Sequence, residues 1–161
     1  MTQTLLKLAA KLFGSTPAWA HCDIPCGIYD PHRAQIATLT IIRMNQLAEQ
    51  MGESDHAVHD LMRLTAVKEE HAEILKQEIR IIWGDFFKIG HAAKHPELHD
   101  LTHKIMQTAS HARQSFDLAV AEQLLELVNQ FAEIFWQVKE VPTKKAICPY
   151  EPKKEVIYPA L

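Results

Sequence analysis

The chain has 161 residues, 47% hydrophobic and 23% charged, the balance of one soluble globular domain with a core of its own. Five glycines and 7% aromatics argue against a sandwich or barrel, and no apolar run reaches the roughly 18–20 residues of a membrane span. A net charge of −3 disfavours a nucleic-acid binder, and three cysteines are too few, and odd in number, for a disulfide scaffold.

Residues 1–20 form a segment of their own. Leu5, Leu6, Ala9, Ala10, Leu12 and Phe13 recur at helical spacing, Gly14-Ser15-Thr16-Pro17 breaks the pattern, and Ala18-Trp19-Ala20 closes it just before His21. Small residues two apart resemble the cleavage site of a secretory signal. Lys7 and Lys11 interrupt the apolar stretch, and no positive side chain precedes Leu5, so a cytoplasmic pro-segment competes with that reading.

Four amphipathic helices are expected next. Asp30-Pro31 starts the first, because Asp accepts from an orphan N–H and Pro loses nothing at the first helical position. Ile36, Leu39, Arg43, Leu47 and Met51 carry its period, with Ile42 beside them, and Gly52 suits its stop. The second begins after Ser54 or Asp55. Val58, Leu61, Met62, Thr65, Ile74, Leu75, Ile82 and Phe86 give it a long run toward Gly90. The third starts at Pro96, with Leu98, Leu101, Ile105 and Ala109 on one stripe. The fourth runs from about Ser115 to Lys139 on Leu118, Ala121, Leu125, Val128, Ala132 and Phe135. Four such helices with short links predict an all-α, up-and-down four-helix bundle. Residues 141–161 carry Pro142, Pro149, Pro152 and Pro159 and a net basic charge, which predicts an extended or disordered tail.

The chemistry sits at the junction, in His21-Cys22-Asp23-Ile24-Pro25-Cys26-Gly27-Ile28-Tyr29. Two thiolates and an imidazole within six residues can close on one soft or borderline metal ion. A loop with two incidental thiols, or one local disulfide, is the plain alternative. Structural zinc wants four side-chain ligands, and no second Cys/His pair appears; a c-type haem site would need C-x-x-C-H. The triplet begins directly after the candidate cleavage site. Cleavage between Ala20 and His21 would add an α-amine to the imidazole, the Cys22 amide and both thiolates, a nitrogen and sulfur donor set that suits Ni(II) or Cu(II). Before cleavage that nitrogen is a planar amide and a poor ligand.

The pattern H-C-x-x-P-C-G-x-Y, filled by His21, Cys22, Pro25, Cys26, Gly27 and Tyr29, resembles the metal hook of nickel superoxide dismutases. Trp83-Gly84-Asp85-Phe86-Phe87-Lys88, His91, Pro96-Glu97-Leu98-His99 and Phe135-Trp136 resemble that family too, so that the likeness spans about residues 21–140. It implies an N-terminal nickel hook on the four-helix bundle, with one nickel per chain. The His21 amine, the Cys22 amide and both thiolates would hold Ni(II), and the His21 imidazole would join in Ni(III). The metal would cycle between those states, turning superoxide into dioxygen and hydrogen peroxide. Tyr29 and the backbone near Asp23 would bound the anion's pocket, with Lys88 close by. The resemblance further implies a homohexamer, a processing protease, a nickel chaperone and a cytoplasmic location. Family members orient the first imidazole with a Glu and an Arg, and Ala37 and His71 stand at the matching positions. A Tyr common near the hook is Phe86 here.

Most of the remaining histidines read as solvated helix positions, and Cys148 as a bystander thiol. Two rival functions remain open. A di-iron carboxylate bundle needs two Glu-x-x-His motifs, and the chain offers Glu53 to His56 alone. A nickel or copper storage or delivery bundle would use the same hook without turnover.

Overall fold

The computed structural model describes residues 27–53 and 55–161. The expectations for residues 1–20 and for His21, Cys22, Asp23 and Cys26 lie outside the described residues. The chain runs through α1 (His32–Glu49), α2 (Ala57–Ile81), a π-helical turn (Ile82–Phe86), α3 (Ile89–Lys94), α4 (Leu98–Gln114), α5 (Leu118–Val138), β1 (Thr143–Ile147) and β2 (Glu155–Pro159). The four long helices form the expected bundle. α1 packs on α2 and α5, and α4 packs on α2 and α5, so that neighbours in sequence are neighbours around the ring.

The third and fourth helices bury the stripes the sequence predicts. Leu98, Leu101, Ile105 and Ala109 face the core from α4, as do Ala121, Leu125, Val128, Ala132 and Phe135 from α5. α1 buries Leu39 and Ile42 as expected but centres its inner face elsewhere. Ala34, Ala37, Thr38, Ile41 and Asn45 are buried, whereas Ile36 and Leu47 are half-exposed. Small side chains let α1 approach its neighbours closely. Polar ones survive there by bonding back along the helix, Thr38 Oγ1 to Ala34 O at 2.8 Å and Asn45 Nδ2 to Ile41 O at 2.8 Å. The start of α2 also departs from expectation. Val58 and Met62 are largely exposed, and Leu61 is 42% exposed, so the core stripe begins only at Lys68 and continues through Ala72, Leu75 and Ile79.

Lys68 is 1% exposed and takes a slot that periodicity would give to an apolar residue. Its Nζ donates to three carbonyls at the end of α4: Ala112 O at 2.9 Å, Arg113 O at 3.2 Å and Ser115 O at 2.5 Å. It also lies 4.1 Å from the centroid of the Phe116 ring. The last turn of a helix leaves its carbonyls without intrahelical partners and carries partial negative charge, so a buried ammonium is matched there twice. Desolvation holds the Lys68 pKa below the ordinary lysine range, against a smaller opposing pull from Glu69. The unfolded chain binds that proton more tightly. The Lys68 contribution to stability therefore rises as pH climbs from the lowered pKa to the ordinary lysine value. Lys68→Met keeps the stem but strands the carbonyls. It should cost about 2 kcal/mol, a fall in Tm of roughly 5 °C in a thermal melt.

Residues 141–161 are not disordered, which corrects half of the tail expectation. β1 and β2 pair antiparallel, Lys145 opposite Ile157, and the hairpin packs on α5 and α1 through β2. The prolines flank the strands instead of interrupting them: Pro142 precedes β1, Pro149 and Pro152 sit in the connection, and Pro159 ends β2. A lone two-stranded hairpin is marginal in water. This one is held by burying Cys148, Val156 and Ile157 against the bundle and by the ion pair of Lys154 with Glu122 at 2.5 Å. The exit from α5 is a Schellman turn. Val141 N–H donates to Trp136 O at 3.0 Å, and Glu140 N–H to Gln137 O at 3.0 Å. Glu140 adopts φ 57° at the place where Gly is usual, which is why the composition gives no sign of the turn.

Candidate metal centre

The hook motif runs into the bundle at Gly27-Ile28-Tyr29-Asp30. Gly27 has φ +72°, a left-handed conformation that side chains disfavour, so its place in the motif has a backbone reason. Asp30 performs the predicted role at the helix start, its Oδ1 accepting the His32 N–H at 2.8 Å. Tyr29 is half-buried, with its ring 5.7 Å from Phe86.

Phe86 is the centre of this corner. Its ring lies 4.6 Å from Phe135, 5.0 Å from Phe87 and 5.9 Å from His91. Tilted and edge-on pairs of this kind contribute about 0.5–1.5 kcal/mol each beyond the area they bury. The π-helical turn brings Phe86 there: Phe87 N–H reaches back five residues to Ile82 O at 3.2 Å, and the extra residue rotates the end of the long helix. The second helix thus ends before Gly90, with Gly84 inside the π turn.

Lys88 stands exposed between that turn and α3. Its Nζ donates to Asp85 O at 2.6 Å, and its backbone N–H donates to His91 Nδ1 at 3.2 Å. It follows Phe86 by two residues in the chain. A second cation, Lys139, escapes the sequence reading, which treats it only as a helix end. Its Nζ lies 3.4 Å from Gly27 O, 5.5 Å from the Phe86 ring centroid and 5.7 Å from that of Phe135. A lysine at the C-cap of a largely apolar helix end is the one feature of the sequence that could have pointed to it.

Ala37 and His71, expected from the resemblance to replace the family's Glu and Arg, lie on α1 and α2. Ala37 is buried in α1. His71 is half-buried on α2, where its Nδ1 donates to Val67 O at 2.8 Å, which orients the ring along its own helix. Phe86 brings no hydroxyl to the corner. Among the described residues no group of three or more His, Cys, Asp or Glu side chains converges as a metal site. The stretch richest in soft donors in the sequence, two thiols and an imidazole in six consecutive residues, lies outside the described residues. The di-iron alternative finds no carboxylate and histidine cluster among the described residues.

The described residues define a helical bundle with a C-terminal hairpin. The family model described as nickel-containing superoxide dismutase matches residues 16–139, and the chain belongs to that family. The superoxide dismutase [Ni] of Streptomyces seoulensis is 36% identical over 121 residues, covering 75% of this chain and 89% of the relative. That of Streptomyces coelicolor is 37% identical over the same length and shares. The native 1.30 Å structure of a nickel superoxide dismutase superposes with a TM-score of 0.69 at 34% identity, covering 74% of this chain and 99% of that one. A nickel superoxide dismutase with ligation of the oxidised state gives a TM-score of 0.70 at 33% identity, with the same coverage. The protein is a nickel-dependent oxidoreductase acting on superoxide. No described helix is long and apolar enough to cross a membrane.

Proposed function

We propose that one nickel per chain is held by His21, Cys22 and Cys26, and that superoxide is dismutated beside Asp23, Tyr29 and Lys88. The observation that carries this reading is the continuity of the hook motif with the Gly27–Asp30 corner that Phe86 and Lys139 hold. The donors are the His21 amine and imidazole, the Cys22 amide nitrogen and the two thiolates. Nickel bound there supplies the one-electron couple between its divalent and trivalent states, by which one superoxide gives up an electron and a second accepts it. Two superoxide ions and two protons then yield dioxygen and hydrogen peroxide.

The chain's own residues handle the anion. With a net charge of −3 the protein as a whole repels superoxide, so attraction must be local. Lys139 sets an ammonium group at the corner where the hook joins the bundle, and Lys88, assigned on the family resemblance, would supply a second from the end of the π-helical turn. Tyr29 offers its phenol from a ring braced by Phe86, and Asp23 is assigned to the anion's pocket on the family resemblance. Residues 1–20 are removed by a protease before the hook can fill, a nickel chaperone delivers the ion, and the mature chain works as a cytoplasmic homohexamer. A storage bundle would hold nickel without turnover, so catalysis decides between the two.

The test is electron paramagnetic resonance of nickel-loaded protein beginning at His21, read together with superoxide consumption. A rhombic Ni(III) signal with splitting from one axial nitrogen, and turnover in proportion to nickel, is expected. A centre that stays silent, or a Cu(II) signal, without turnover would overturn the assignment.

A further inference from the structure

The family match ends at residue 139, before the hairpin begins, and the hairpin lies against the helix turn that follows the hook. We propose that this hairpin is a strap that sets the first turn of α1, and with it the root of the nickel hook, and that Gln35 is the positioning residue. The second step rests on the reading that the hook holds the nickel.

Gln35 has no exposed surface. Its Nε2 donates to Ile157 O in β2 at 3.2 Å and to Asn129 Oδ1 in α5 at 2.9 Å, while its Oε1 accepts from His32 Nδ1 at 3.2 Å. Asn129 in turn donates from Nδ2 to Glu155 O at 2.9 Å. Glu155 and Ile157 alternate along β2, so both carbonyls belong to the strand edge turned away from β1. The bundle satisfies both with side-chain amides. A strand edge is normally a row of unpaired groups. Here two of them are used to grip one helix turn.

The grip is passed on toward the hook by a continuous set of contacts. The Gln35 N–H donates to Pro31 O at 3.2 Å, and His32 N–H to Asp30 Oδ1 at 2.8 Å. The His32 ring lies 5.5 Å from Tyr158 of β2. Asp30 adjoins Tyr29. On the other side Lys139, which immediately precedes the turn into the hairpin, reaches Gly27 O. Both ends of the hook's root are thus tied to the segment that leads into or forms the hairpin. Loss of the Gln35 amide strands a buried carbonyl on β2 and takes a partner from a half-buried amide oxygen on α5, so the turn and strand lose their shared anchor.

The experiment uses the whole chain from His21 onward, loaded with nickel, as wild type, Gln35→Ala, Asn129→Ala and a control, Lys145→Met. The control breaks the hairpin's exposed 3.5 Å ion pair with Glu133 and leaves the grip on α1 intact. Amide exchange and nickel release into excess EDTA are followed together. In Gln35→Ala the amides of residues 32–36 should exchange roughly tenfold faster while those of α4 keep their rates, and nickel should leave several-fold faster. Asn129→Ala should shift both in the same direction by less, and Lys145→Met should shift neither. If first-turn exchange stays at the wild-type rate in both Gln35→Ala and Asn129→Ala, or rises equally throughout the bundle, the strap is wrong. Faster first-turn exchange with unchanged nickel release overturns its link to the hook. A wild-type chain that holds no nickel refutes the metal assignment instead, and the exchange rates still judge the strap.

Discussion

Cys22→Ser and Cys26→Ser should each abolish nickel retention and superoxide turnover together. A thiol is readily deprotonated by a metal near neutral pH to a soft, strongly donating thiolate, whereas a serine hydroxyl is hard and far less acidic. Loss of a direct donor should exceed the roughly 10–100-fold penalty that follows when only an outer partner of a ligand is removed. Cys148→Ser is the internal control. Cys148 is 1% exposed in the hairpin, and its Sγ donates to Tyr150 O at 3.2 Å, a contact that a serine hydroxyl can take over. That variant should keep its nickel and its turnover, with a small loss of hairpin packing as its only effect. Nickel measured by atomic absorption, against turnover per chain, separates the cases. A Cys26→Ser protein that keeps most of its activity per nickel would remove Cys26 from the ligand set.

Protein that retains residues 1–20 should bind nickel weakly and turn over little superoxide, and a chain that begins at His21 should do both. The cause is a single nitrogen. Inside a longer chain the His21 nitrogen is an amide with its lone pair delocalised into the carbonyl. Freed, it is an amine with an ordinary pKa near about 7.7–8.0, which a metal deprotonates readily. One extra residue before His21 should therefore be nearly as harmful as all twenty, since either leaves an amide. Nickel binding should also weaken as pH falls below the amine's pKa, because proton and metal compete for the same lone pair. Mass spectrometry of active protein from the native host, with nickel titrations of chains beginning at His21 and at Ala20, provides the check. An active species that still carries Ala20 would sink the proposal. A first residue of His21 in protein recovered from the cytoplasm would dispose of the secretory reading of residues 1–20.

The amino-acid sequence by itself determined the class of fold and the chemistry. Local period and caps carry helix existence, so the stripes of α4 and α5 were legible, as was Asp30 at the first helix start. The hook could be proposed from sequence because its candidate donors are contiguous: six residues of chain hold them all, and no fold is needed to bring them together. What depends on a partner distant in sequence was not legible. The face that α1 buries follows Ala34, Ala37 and Asn45 instead of Ile36 and Leu47, because close helix approach rewards small side chains over large ones. Lys68 occupies a core slot only because the carbonyls that end α4, more than forty residues later, are waiting for its ammonium. Lys139 meets Gly27 across most of the length of the chain. The proline-rich end gave a correct veto on helix and no hint of the hairpin. Two short strands are marginal alone and become stable only against a surface that the four helices must first create, with Gln35 and Asn129 supplying the bonds that the strand edge cannot make for itself.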